Sequence, residues 1–386
     1  MTFGDYQIEL YLGALGGVLP AHPFDYAELE RNALAALPPE LRTYVAGGAG
    51  DEATQRANVE AFARYALVPR MFRAAPERDL SVELFGRTLA SPLLMAPVGV
   101  VGLCTPDQHG DIHAAEVAAT TGVPLIGSTL MSDPLEEVAA AAGDAGRWFQ
   151  LYTPKNRDLA ASLVSRAERA GYEAIVITLD TWVPGWRPRD LASGNFPQLR
   201  GKALANYTSD PVFREMTGPD PDPGTVVMTW VGTFGQPVTW DDLPWLRSLT
   251  DLPILVKGVC HPDDARRALD EGVDGIYCSN HGGRQANGGG AALDWLPDVV
   301  AAVDGRGPVV FDSGVRTGAD VVKALALGAD AVAIGRPYVY ALALGGVAGA
   351  VHQIRALQAE TDLIMAVDGY PTLADLTPDT LRRTPR

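Results

Sequence analysis

Cysteine is scarce in this chain, three residues in 386, and Cys104, Cys260 and Cys278 fall at neither a paired nor a metal-ligating spacing. A disulfide-stapled fold is therefore not expected, Cys278 reads as core, and a reducing, cytoplasmic compartment fits. Long apolar runs are missing too. No stretch approaches the roughly 18 residues of a membrane span, and the opening MTFGDYQIEL has no basic segment leading into an apolar one. Positive charge is in deficit, with 31 Lys and Arg against 47 Asp and Glu and a formal net charge of −16. That balance disfavours nucleic acid or an anionic membrane face as a partner. What the chain does have is apolar material, 47% of its residues, enough for one large core or two ordinary ones.

From about residue 90 one theme repeats: a short run rich in β-branched residues, a polar or glycine-rich loop, then an alanine-rich amphipathic stretch. Eight candidate strands follow: 92–98, 123–128, 147–152, 174–180, 253–258, 275–279, 308–314 and 331–335. Helix candidates such as DIHAAEVAATTG and GADVVKALALGAD lie between them and end near glycine. Eight such units predict a closed (β/α)8 TIM barrel, whose site lies at the C-terminal strand ends. A doubly wound sheet is the runner-up, but MAPVGVVGLC after the first strand lacks the G-x-G-x-x-G spacing. Residues 1–90 form an extension with helix-like pieces and a short hairpin in LSVELFGRTLA, and residues 184–236, rich in Pro, Gly and Asp, form a long loop after strand four. Long loops over a barrel mouth are usually lids.

Several strands end in polar side chains that packing does not need: Gln150 and Tyr152 on the third, Thr178 and Asp180 on the fourth, Lys257 on the fifth, Ser279, His281 and Arg284 on the sixth. The seventh adds Asp312 and Arg316, the eighth Gly335 and Arg336, and a closed barrel would gather all of them at one mouth. DSGVRTGAD opens a helix with Gly314, Arg316 and Gly318, and IGRP adds a second glycine-arginine pair. Glycine-loop amides, a helix N-terminus and guanidinium forks suit a phosphate. His281 is a candidate base, with Asp180 as a carboxylate able to pair with its imidazolium and raise its pKa. Arg284 suits a carboxylate, with Arg187 as a second clamp. His109 and His113 have the spacing of a helical zinc pair, yet position 110 is glycine where a zincin carries glutamate, so no metal is expected. Tryptophans 182, 186, 230, 240 and 245 gather around the long loop and read as lid or interface packing.

FQLY, TLDT, PILVKGV, SNHGGRQ, DSGVRTGADVVKALALGA and IGRP, in this order, resemble the FMN-dependent α-hydroxy acid oxidases and dehydrogenases. APVGV, GWRPRDL, ANYTSDPVF and GRPYVYALALGG look most like the lactate 2-monooxygenase branch. The resemblance implies one FMN-binding domain over residues 1–386, with the barrel at 91–360 and the lid at 184–236. It implies His281 as base, Asp180 as its partner, Arg187 and Arg284 on the substrate carboxylate, and Tyr44 and Tyr152 as hydrogen-bond donors to the substrate. Lys257 would sit beside the flavin; Ala96, Pro97, Val98, Gly99, Ser128, Gln150, Thr178 and Ser279 would hold its ring, and Asp312, Gly314, Arg316, Gly335 and Arg336 its ribityl phosphate.

The partners implied are a small 2-hydroxy carboxylic acid and molecular oxygen, and family members are usually tetramers or octamers. The activity implied is L-lactate to acetate, carbon dioxide and water, with a peroxide-releasing 2-hydroxy acid oxidase or a quinone-linked dehydrogenase as alternatives. Gly99 stands where glycolate oxidase has alanine, which leaves room where oxygen reacts. Leu130 stands where glycolate oxidase has tryptophan, giving the substrate an aliphatic wall.

Overall fold

The computed structural model describes residues 2–384. Four helices (Asp5–Leu15, Tyr26–Ala36, Pro39–Ala46 and Ala53–Glu60) and a 3-10 turn lead into a short strand, β1 (Tyr65–Leu67), and a hairpin of β2 (Val82–Leu84) and β3 (Arg87–Leu89). The hairpin turn is Phe85–Gly86, with φ of 50° and 80°, the left-handed pair that matches strand twist. Phenylalanine rarely adopts this conformation; here its ring packs edge-on against Trp148 at 5.6 Å. Leu84 and Leu89 join the side chains inside the barrel, so the hairpin closes the N-terminal end of the strands.

All eight candidate barrel strands form: β4 (Leu93–Met95), β5 (Leu125–Ser128), β6 (Arg147–Leu151), β7 (Ile175–Thr178), β8 (Ile254–Val259), β9 (Gly275–Cys278), β10 (Val309–Phe311) and β11 (Ala331–Ile334). They pair in parallel in that order, and β11 pairs back onto β4 to close the barrel. Parallel strands are covered on both faces, and every residue of β5, β7, β9 and β11 is buried. The two-residue period of a strand divides the core in two. Leu94, Ile126, Trp148, Val176, Leu255, Tyr277 and Val310 fill the barrel, while Met95, Phe149, Ile177, Val256, Ile276 and Phe311 face the helices.

Three features depart from expectation. A helix forms at Asp5–Leu15, and the C-terminal tail supplies a strand, β12 (Leu381–Arg383), antiparallel to β1. The segment at 184–236 is no open loop. It folds into short helices at Pro188–Ser193, Pro197–Arg200, Ala205–Thr208, Pro211–Thr217 and Pro223–Thr233. Four of these begin with proline, and Asp210 and Asp222 cap two of them; proline in the first helical turn costs no hydrogen bond. Residues that signalled a loop are thus helix starts.

This segment is docked through buried polar contacts. Arg166 reaches Asp210 Oδ2 at 3.0 Å, and Asn206 Nδ2 donates to Thr129 O at 3.1 Å. The tryptophans do not form one group. Trp230 packs on Phe234 at 4.9 Å, Trp240 and Trp245 lie under Arg267 and Arg157, and Trp182 and Trp186 are exposed. Among the described residues no helix is long and apolar enough to cross a membrane.

Candidate active site

The C-terminal ends of the barrel strands open into one cavity of about 1080 Å³, open solvent at its mouth included. Tyr44, Tyr152, Arg187, Lys257, His281 and Arg284 line it, together with Ala96, Pro97, Val98 and Gly99 after β4. Asp312, Gly314, Arg316, Gly335 and Arg336 complete the far wall. The other residues singled out in the sequence, Asp180, Ser128, Gln150, Thr178 and Ser279, stand behind this lining.

His281 is held in an unusual backbone. Its φ is 59°, followed by Gly282 at 64° and Gly283 at 74°. A left-handed histidine costs energy that the surroundings must offset. Ser279 Oγ accepts from His281 N and from Lys257 Nζ, both at 3.0 Å, and Ser313 Oγ accepts from Gly282 N at 3.0 Å. Gly283 passes so close to the extension that a Cβ there would lie 2.5 Å from Gln55 N. The SNHGGRQ glycines therefore serve a close backbone approach.

His281 Nδ1 lies 2.8 Å from Asp180 Oδ1, and Thr181 Oγ1 donates to the same oxygen at 2.8 Å. Occupation of Nδ1 leaves Nε2 as the nitrogen available to the cavity. Gly258, at φ 104°, leaves space for the Asp180 carboxyl, which a Cβ there would approach to 3.1 Å. The pairing does not raise the histidine as expected. Burial pushes the His281 pKa below its ordinary value, Lys257 and Arg187 push the same way, and Asp180 offsets them only in part. Asp180 stays ionised, its carboxyl held far below the usual range by His281 and Lys257 against the effect of burial. The imidazole is thus neutral and ready to accept a proton.

Beside it stand two cations, Arg187 buried and Arg284 half-buried. Arg187 Nε donates to Arg284 O at 3.0 Å and Nη2 to Gln285 Oε1 at 2.5 Å, and Arg284 Nη1 donates to Gly47 O. The Tyr44 ring lies 4.9 Å from the Arg284 guanidinium and 5.6 Å from that of Arg187. Burial, with Arg187 and Arg336 nearby, pushes the Arg284 pKa down to about 9. Clustered cations out of water favour an anion among them.

Behind the lining, Gln150 Nε2 and Thr178 Oγ1 are buried with no hydrogen-bond partner among the described residues. Ser128 Oγ donates to Gln150 Oε1 at 3.1 Å and so orients the amide instead of facing the cavity. The anion site after β10 also differs from expectation. In the helix Gly318–Ala326 the Gly318 and Asp320 amides are already taken, by Glu360 Oε2 at 2.6 Å and by the Thr317 hydroxyl of a capping box. Arg316, Arg336 and the backbone at Gly314 and Gly335 remain on the cavity wall.

Sequence reasoning passed over Thr181, Ser313 and Gln285, which hold the site loops; Thr181 and Gln285 sit within the quoted motifs TLDT and SNHGGRQ, where adjacency was the available signal. It also missed Asp111, whose buried carboxylate accepts from Ser132 N at 2.7 Å and whose pKa burial raises to about 7. His109 and His113 each pair with a separate carboxylate, Asp133 at 2.6 Å and Asp107 at 3.2 Å.

The family model for FMN-dependent dehydrogenases matches residues 33–383. The chain belongs to that family of FMN-dependent α-hydroxy acid oxidases and dehydrogenases. It is 43% identical to an FMN-dependent alpha-hydroxy acid dehydrogenase of Penicillium citrinum, covering 99% of this chain and 96% of the relative. It is 42% identical to an L-lactate oxidase of Lysinibacillus sphaericus, over 93% and 92% of the two chains. An active mutant of (S)-mandelate dehydrogenase superposes with a TM-score of 0.85 at 33% identity, covering 94% of this chain and 99% of that one.

As a member of the family the protein is an FMN-dependent α-hydroxy acid oxidoreductase, and its residues fit the cofactor. Gln150 and Thr178 supply the unpaired polar atoms that a flavin ring's carbonyl and imide edge would satisfy, and Arg316 with Arg336 supplies cations for one terminal phosphate.

Proposed function

We propose that this family member is an L-lactate 2-monooxygenase, converting lactate and oxygen to acetate, carbon dioxide and water. The observation that carries the reading is Gly99. It lies on the cavity wall against Leu130, and a Cβ there would stand 3.1 Å from Leu130 Cβ, closer than ordinary packing, so alanine would press on Leu130 and reshape this wall. Gln198, from the helical insert and fully buried, donates to Gly99 O at 3.3 Å. The insert therefore covers this wall, and we assign residues 184–236 the role of keeping the first product in place.

When bound, FMN supplies the two-electron acceptor for the hydroxy acid and passes the electrons to oxygen. His281 Nε2 takes the substrate proton, and Asp180 holds the imidazolium that results. Arg284 and Arg187 bind the carboxylate. Tyr44 and Tyr152 line the same space and donate to the substrate oxygens, while Lys257, fixed by Ser279, would offer a compensating cation to a bound flavin. Leu130, Phe196 and Phe234 present an apolar wall to the substrate side chain. Pyruvate retained in the cavity with hydrogen peroxide loses its carboxyl as carbon dioxide and leaves as acetate, with water as the reduced product.

Relatives named L-lactate oxidase favour the alternative in which pyruvate and peroxide are released. Product analysis in air separates the two, since acetate with little free peroxide supports the monooxygenase and stoichiometric pyruvate plus peroxide excludes it. On the same reading, Gly99→Ala shifts product from acetate towards pyruvate and peroxide while leaving anaerobic flavin bleaching nearly intact. An unchanged product ratio in that variant would remove Gly99 from the argument.

The lowered His281 pKa fixes a pH dependence. Below that pKa, Nε2 carries a proton and cannot act as base, so kcat/KM falls on the acid side with a midpoint below the ordinary histidine value of about 6.5. A midpoint above that value would show that Asp180 dominates over burial.

A further inference from the structure

Basic groups on the cavity wall are matched with acids one by one. Asp180 Oδ1 lies 2.8 Å from His281 Nδ1, Asp312 Oδ2 lies 3.7 Å from Lys257 Nζ, and Asp190 Oδ2 lies 4.0 Å from Arg187 Nη1. Arg284 is the exception on the substrate side. Among the described residues its side chain finds a carbonyl, Gly47 O, and no carboxylate.

Asp190 differs from the other two acids. It is only 6% exposed, yet neither of its carboxylate oxygens has a hydrogen-bond partner among the described residues. The local sequence explains where it stands. Pro188 opens the short helix Pro188–Ser193 directly after Arg187, and Asp190, three residues on, comes round beside that arginine. An aspartate near a helix start ordinarily accepts from a free amide, which this one does not. Arg189 turns elsewhere, to Glu52 Oε2 at 2.5 Å. Arg187 is itself pinned, its Nε by Arg284 O and its Nη2 by Gln285 Oε1, so it does not close the 4.0 Å gap. Asp190 therefore acts on the arginines by charge and not by a hydrogen bond. Burial raises its pKa, and Arg284 and Arg187 oppose the rise, as expected of a carboxylate within reach of both guanidiniums.

We propose that Asp190 is a positioning residue of the carboxylate clamp, a fixed counter-charge that leaves Arg187 and Arg284 together with one net positive charge. The inference rests on the reading of those two arginines as the substrate's clamp. A 2-hydroxy acid with one carboxylate then enters without surplus charge. A dicarboxylate carries one negative charge too many into a site with little water, and is disfavoured. The keto acid product, also a monoanion, meets one positive charge and not two, which keeps its release possible.

The test uses flavin-loaded enzyme in its oxidised form at mildly alkaline pH, where no turnover is needed and binding is read as a perturbation of the flavin absorbance. Three probes of charge zero, minus one and minus two are titrated: pyruvamide, pyruvate and oxalate. In Asp190→Asn, pyruvamide should bind as in the parent, pyruvate about tenfold tighter and oxalate about a hundredfold tighter, the scale of one unit charge acting across several ångströms of protein interior. Damage to the packing would instead weaken all three. Asp190→Ser, a smaller side chain, should give the same graded order and decides the matter if the asparagine variant does not fold. Arg284→Met, titrated in parallel, checks the clamp itself and should weaken pyruvate and oxalate but not pyruvamide. If it does so while the Asp190 variants bind all three probes as the parent does, more weakly, or tighter by one common factor, the counter-charge is overturned and the clamp stands. If Arg284→Met leaves pyruvate binding unchanged, the clamp falls and the role of Asp190 falls with it.

Discussion

A His281→Gln enzyme is expected to bind FMN and a 2-hydroxy acid yet reduce the flavin roughly 100- to 10,000-fold more slowly, the range spanned by removal of a positioned base. The backbone at this position is left-handed and held by Ser279 and Ser313, so the variant keeps the loop while losing the basic nitrogen. Glutamine retains a polar group near Asp180 but cannot accept a proton near neutral pH. Anaerobic stopped-flow bleaching measures the chemical step free of oxygen chemistry, and flavin content serves as the check on folding. A fall of less than about tenfold would place the proton with another group and make His281 a binding residue only.

Arg284→Met is the second large effect. The half-buried guanidinium packs beside Arg187 and Tyr44, and loss of one partner in a charged pair that the substrate carboxylate would bury costs about 2–5 kcal/mol. In kcat/KM that is a fall of roughly thirty-fold to several-thousand-fold. Flavin affinity should change little, because Arg316 and Arg336 line the wall assigned to the phosphate. Arg284→Lys should recover only part of the loss, since an ammonium lacks the planar fork. Equal bleaching kinetics for Arg284→Met and the parent across substrate concentrations would sink the carboxylate role.

The barrel was legible because its signal is local. Eight short apolar runs, most of them followed by an alanine-rich stretch, specify parallel strands and covering helices without long-range information. Much of the cavity wall was legible for the same reason, since the C-terminal strand ends of a barrel gather at one mouth, though Ser128, Gln150, Thr178, Asp180 and Ser279 stand behind the lining and not in it. Asp180 and His281 sit about a hundred positions apart, yet their strand-end positions sufficed to bring them together.

What escaped the sequence depends on contacts between distant segments. The helices within 184–236 start at prolines that, read locally, say only turn; the capping aspartates and the Arg166–Asp210 pair decide the outcome. The sign of the His281 shift was misjudged because it requires the depth of burial and the positions of Lys257 and Arg187, neither of which pairwise spacing contains. The β1–β12 pairing was invisible for a similar reason, as two three-residue strands carry too little pattern to be matched.

That small pairing joins distant parts of the chain. Tyr65 and Arg383 are more than three hundred residues apart, with the whole barrel between them. Closing so long a loop adds only a logarithmic entropy cost, but contacts of such sequence separation form late. The extension that β12 anchors carries Tyr44 and Val45, which complete the cavity, and Asn58, whose carbonyl faces the bend at Gly314. The β1–β12 pairing thus ties a segment near residue 381 to the extension that supplies one wall of the cavity, so a change in either short strand reaches Tyr44 and Val45 without touching the barrel.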